Sequence, residues 1–91
     1  MSRSKSRYKS AVGLSYEYGS EEPPSLSVRG EELEADRIVA LARRFGVPVL
    51  ERKELARALK CLEVDERVPA ELFEAVAMVL AQIESRVGKK R

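Results

Sequence analysis

GVPVLERKELARAL, residues 46–59, and VPAELFEAVAMVLAQI, residues 68–83, decide how this chain is read. Gly46 stands where a left-handed helix C-cap costs little, so a helix is expected to end just before it. Val47–Leu50 is apolar throughout and does not alternate, which predicts a short strand covered on both faces. Pro48 has no N–H and places that strand at an edge or at its first residues. Leu55, Leu59 and Leu62 then recur at helical spacing, while Arg52, Lys53, Glu54, Arg57 and Lys60 are left for water. Pro69 suits a first-turn position, where its missing donor is harmless. Behind it Leu72, Val76, Val79, Leu80, Ile83 and Val87 form the longest apolar stripe of the chain, widened by Phe73 and Ala77.

Upstream, Gly30–Phe45 reads as another helix. Glu31, Glu32 and Glu34 charge its start and Arg43 and Arg44 its end, the sense that the helix dipole favours. Ile38, Leu41, Ala42 and Phe45 make its apolar stripe. Ser10–Tyr18 alternates, with Val12, Leu14, Tyr16 and Tyr18 on one face and the small Ala11 and Gly13 on the other, so a strand is expected whose small face lets a second layer approach. Gly19–Pro24 is a turn, and Leu26 and Val28 continue in a second strand antiparallel to the first. The expected fold is therefore α/β, a small mixed sheet of about three strands flanked by helices in the order β-β-α-β-α-α. Ile38, Leu41, Phe45, Leu59, Leu72, Val76 and Val79 are expected to share one core.

With 91 residues the chain suits one small domain. We divide it into a flexible basic tail (1–9), a folded region (10–87) and a second basic tail (88–91). The charge is dense but balanced, 17 basic against 15 acidic residues. A single cysteine, Cys61, forms no internal disulfide, which fits a reducing, cytoplasmic setting. No apolar run approaches the ~20 residues of a membrane span. There is no His for proton transfer near neutral pH and no imidazole to activate Cys61 or ligate a metal. Gly13, Gly19, Gly30 and Gly46 are too scattered for a phosphate loop. We therefore expect no enzyme, no cofactor, no metal and no small-molecule substrate. The basic residues Arg3, Lys5, Arg7, Lys9, Lys89, Lys90 and Arg91 suggest an alternative, a small protein bound to nucleic acid or ribosomes through its tails.

The same segments resemble the C-terminal cytoplasmic domain of the FlhB family, the switch proteins of flagellar and type III secretion export gates. That family carries a Gly-Val-Pro-(Ile/Val) turn, a Leu-Ala-Arg-Ala-Leu helix, an Ile-Pro-Glu-Glu-Leu turn and an Ala-Val-Ala-Glu-Val-Leu-Ala helix. Here these are matched by Gly46–Val49, Leu55–Leu59, Val68–Leu72 and Ala75–Ala81, with Ala11–Glu17 matching a strand upstream. The family's Asn-Pro-Thr-His motif, where the backbone cleaves itself, would fall on Ser6-Arg7-Tyr8-Lys9, and none of its four residues is present. The chain thus looks like a free-standing, non-cleaving relative of that domain.

The resemblance implies binding of export gate subunits, export substrates or chaperones, with peripheral association at the membrane export apparatus. It also implies a partner-binding patch. The family's Ala-Pro before its second strand is matched by Pro23 and Pro24, and the implicated positions of its last helix by Ala77 and Leu80. Pro23 replaces an Ala, and Met78 replaces a Glu between those two helix positions. Leu80 lies in the apolar stripe as well, so patch and core are both open to it.

Overall fold

The computed structural model describes residues 5–87. Two antiparallel strands, β1 (Ser10–Ser15) and β2 (Ser25–Glu31), are followed by three helices, α1 (Leu33–Arg44), α2 (Lys53–Leu59) and α3 (Phe73–Val87), the last entered through a 3-10 turn at Ala70–Leu72. Ser10 pairs with Glu31 and Val12 with Arg29, and a register shift after Gly13 brings Leu14 opposite Leu26. The expected α/β layering is present, but the sheet has two strands and Val47–Leu50 is not a third.

The backbone explains that difference. α1 ends with paired bonds around Gly46 (φ 76), whose N–H donates to the Arg43 carbonyl at 3.2 Å, while the Val47 N–H donates to the Ala42 carbonyl at 2.7 Å. Val47 has thus spent its donor on the helix cap, and Pro48 has none. Half of the four-residue run has no N–H to give a ladder, so apolarity alone does not make it a strand. Val49 nevertheless packs beside the small cluster under α1.

Two apolar clusters lie on opposite faces of the sheet. On one face Ala11, Ala35 and Val39 are buried, with Tyr8, Ile38 and Val49 packed around them. The fit there is close because Gly30 has no side chain: a Cβ on it would stand 2.7 Å from Glu34 Cγ and 2.9 Å from Ile38 Cδ1. The small face expected for β1 does admit a helix. The helix uses its own small residues, however. Leu41 is 51% and Phe45 71% exposed, so the single core expected to contain them is corrected to two clusters that exclude them. The Arg44 guanidinium lies over the Phe45 ring at 5.7 Å.

The main cluster, on the other face, holds Leu26, Leu59, Leu62, Val68 and Val76, with Leu72 and Leu80 partly buried against it. Val76 is 2% exposed, as the stripe of α3 requires. Leu26 and Val68, both essentially buried, were not expected there. Residues 65–68 close the free edge at the start of β2: the Leu26 N–H donates to Glu66, the Asp65 N–H to Leu26 and the Val68 N–H to Pro24, at 2.7–2.9 Å. Asp65 adopts φ 75 to make that turn. Lys60 does not simply face water, since its ammonium bonds the Glu31 carboxylate at 2.7 Å. No helix of the described residues is long and apolar enough to cross a membrane.

Residues 6–9, expected within the first basic tail, are tied to the start of α1. Asp36 accepts the Arg7 N–H at 3.1 Å and the Tyr8 N–H at 3.0 Å, Ser6 Oγ donates to Glu32 at 2.9 Å, and the Glu32 N–H donates to Lys9 at 3.0 Å. Residues 1–4 of that tail, and the tail at 88–91, lie outside the described residues.

Candidate functional site

β1 ends at Ser15, short of the expected Tyr18, and Tyr16 and Tyr18 lie beyond it, lining a groove together with α3. The loop that follows is braced at several points. Gly19 (φ 87) allows the Ser20 N–H to reach Glu17 at 3.0 Å, and Ser20 Oγ accepts the Glu22 N–H at 3.0 Å. Glu22 pairs with Arg67 at 2.7 Å, and the Pro24 carbonyl is held by the Val68 N–H at 2.9 Å. Pro23 and Pro24 add fixed φ angles. The result is a wall that needs little ordering when something binds to it.

Between this wall and α3 runs an open groove of about 410 Å³. All four residues singled out from the sequence, Pro23, Pro24, Ala77 and Leu80, line it. Val68 and Val76, each 2% exposed, form the floor. Ala77 is exposed, and its short side chain leaves the recess. Leu80 is half-buried against the main cluster and also lines the groove. The groove offers an apolar floor, aromatic flanks from Tyr16, Tyr18 and Phe73, and carboxylates from Glu21, Glu22 and Glu84. Such a surface can take up an apolar side chain.

Tyr16, Tyr18, Phe73 and the three glutamates are not identified by sequence reasoning. Phe73, Ala77 and Leu80 do stand at i, i+4 and i+7, a second edge beside the Leu72–Val76–Val79 stripe, so part of the signal was present. A second, wider groove of about 1210 Å³ separates α2 from α3, with Leu55, Leu72, Met78 and Val79 in its lining. Arg52 donates to Gln82 between these two helices. Away from both grooves, the hydrogen bond from Lys60, and then its positive charge, holds the Glu31 carboxyl below its usual value.

Fold and groove together define a small α/β domain with an open, apolar-floored groove on one face. Residues 8–83 match the model of the FlhB HrpN YscU SpaS family, and the chain belongs to that family. It is 33% identical over 73 residues to an uncharacterized protein, YlqH, of Bacillus subtilis, covering 80% of this chain and 78% of that one. It is 39% identical over 75 residues to the flagellar biosynthetic protein FlhB of Helicobacter pylori, covering 80% of this chain. There it spans 20% of the relative's length, and 21% for FlhB of Aquifex aeolicus. Among solved structures, the PscU C-terminal domain superposes with a TM-score of 0.76 at 37% identity, covering 82% of this chain and 96% of that one. A mutated EscU/SpaS C-terminal domain gives 0.74 at 28% identity, covering 80% and 91%. The family places the chain among proteins of flagellar biosynthesis and type III protein export.

Proposed function

We propose that this chain is a non-enzymatic binding domain, a cytoplasmic accessory of flagellar type III export that recognises gate subunits, export substrates or chaperones. The observation that carries the reading is the meeting of Pro23, Pro24, Ala77 and Leu80 in one groove, in a chain of the FlhB family. These residues come from segments more than 50 positions apart, yet they share a surface with a buried apolar floor. A shallow apolar groove gives modest affinity and tolerates different side chains, as transient recognition of many clients requires.

Co-purification of the full chain from cells tests the reading. Recovery of export-apparatus proteins supports it. Recovery of nucleic acid alone, lost steeply with added salt, refutes it in favour of binding through the basic tails.

A further inference from the structure

We propose that the occupant of the Pro24–Ala77 groove is a short amphipathic segment of another protein, with an apolar face flanked by Lys or Arg, and that Glu21 and Glu84 select it over acidic segments. This rests on reading the groove as the partner site and adds the chemical class of the partner.

The apolar part follows from the floor, since Val68 and Val76 can be covered profitably only by hydrocarbon. The basic part follows from the charges around it. Among the described residues, every charged residue lining the groove is a glutamate, although the chain as a whole carries a formal charge of +2. Glu22 is engaged by Arg67 at 2.7 Å, whereas no salt bridge reaches Glu21 or Glu84 among the described residues. A bound segment with acidic flanks would bring like charges against these carboxylates as water leaves the groove. A basic segment meets counter-charges there. Tyr18, 78% exposed on the same rim, also offers its ring to an ammonium or guanidinium group.

The wider groove between α2 and α3 provides the contrast. Its lining includes both signs, Glu51 and Glu54 with Arg52 and Lys53, so charge gives no direction to a choice of partner there. Along α3 the lining of the glutamate-rimmed groove runs from Phe73 to Glu84, about 16 Å at ~1.5 Å per residue. Roughly three helical turns of a partner therefore fill it.

Two synthetic, fluorescently labelled helical peptides test the inference on the full chain. They share one Leu-bearing face and differ only in flanks of Lys or Glu. At low ionic strength the Lys peptide is expected to bind about 10-fold more tightly, and the gap should narrow as salt rises. The double variant Glu21→Lys/Glu84→Lys should reverse the preference, and Ala77→Asp should weaken both peptides. Equal affinities, no binding of either peptide, or an unchanged preference in the double variant overturns the inference. A native export partner separates the two levels of the argument. If its binding is lost in Ala77→Asp but unaltered by Glu21→Lys/Glu84→Lys, the groove reading stands and charge selection falls. If Ala77→Asp binds normally, the groove reading falls and the inference with it.

Discussion

Truncating Val76 to Ala asks whether α3 holds the main core. Its side chain is 2% exposed and belongs to the cluster of Leu26, Leu59, Leu62 and Val68. Removing two methyl groups forfeits about 1.6 kcal/mol of transfer free energy, at ~0.8 per buried carbon. A residual cavity adds to this at ~24 cal/mol per Å³, so the total is expected at about 1.5–3 kcal/mol. For a domain of this size that lowers Tm by roughly 6–24 °C. Urea unfolding followed by circular dichroism measures it, with an unchanged m-value if both end states are preserved. Leu41→Ala is the control. The stripe read from sequence makes it equally costly, whereas its 51% exposure predicts a loss below about 1 kcal/mol. Equal losses for the two variants, or a loss under about 0.5 kcal/mol for Val76→Ala, would refute the two-cluster description.

The carboxylate of Asp36 holds the N–H groups of Arg7 and Tyr8, so Asp36→Ala should make both amides exchange rapidly and cost about 1–2 kcal/mol; unchanged protection by NMR hydrogen exchange would count against that clasp. Glu31 has its carboxyl pKa lowered below 4.5 by the hydrogen bond and charge of Lys60, so its contribution is complete above that pH and is lost as pH falls through the lowered folded value. The stability difference between the wild type and Lys60→Met should accordingly shrink in acid, and a difference that grows below pH 4.5 contradicts the assignment. Finally, the chain should not cleave itself, because Ser6-Arg7-Tyr8-Lys9 contains neither Asn nor Pro. Intact mass after prolonged incubation at neutral pH checks this, and a clean break within residues 6–10 would sink it.

Periodicity made α2 and α3 legible because their apolar stripes are regular, and the buried Leu59 and Val76 lie on them, while Leu62 is buried just beyond the end of α2. It misplaced α1's inner face because size was taken as the guide to burial. There the sheet presents Ala11 and Gly30, so close approach selects Ala35 and Val39 and leaves Leu41 and Phe45 outside. The missing third strand was hidden in hydrogen-bond accounting, since the N–H of Val47 is committed to the cap of α1. Leu26 and Val68 became core through backbone pairing between segments some 40 residues apart, a contact no local pattern encodes. The groove was legible at Pro23, Pro24, Ala77 and Leu80 through resemblance to a family. Its tyrosines and glutamates were not, because alternation placed Tyr16 and Tyr18 in a strand that stops at Ser15.

The central claim is that the Pro24–Ala77 groove recognises a partner of the export apparatus. Its most direct test is the affinity of a purified, co-isolated export protein for Ala77→Asp. The new carboxylate would stand in the recess, where the partner's apolar face, not its basic flanks, must bury it at a penalty of several kcal/mol. Because Ala77 is exposed, the variant should fold like the wild type. Binding is predicted to fall by at least about 100-fold, while replacing Lys5, Arg7 and Lys9 by Gln changes it less than about 3-fold at physiological salt. Wild-type affinity in Ala77→Asp, with binding lost in the neutralised N-terminal variant, would contradict the account.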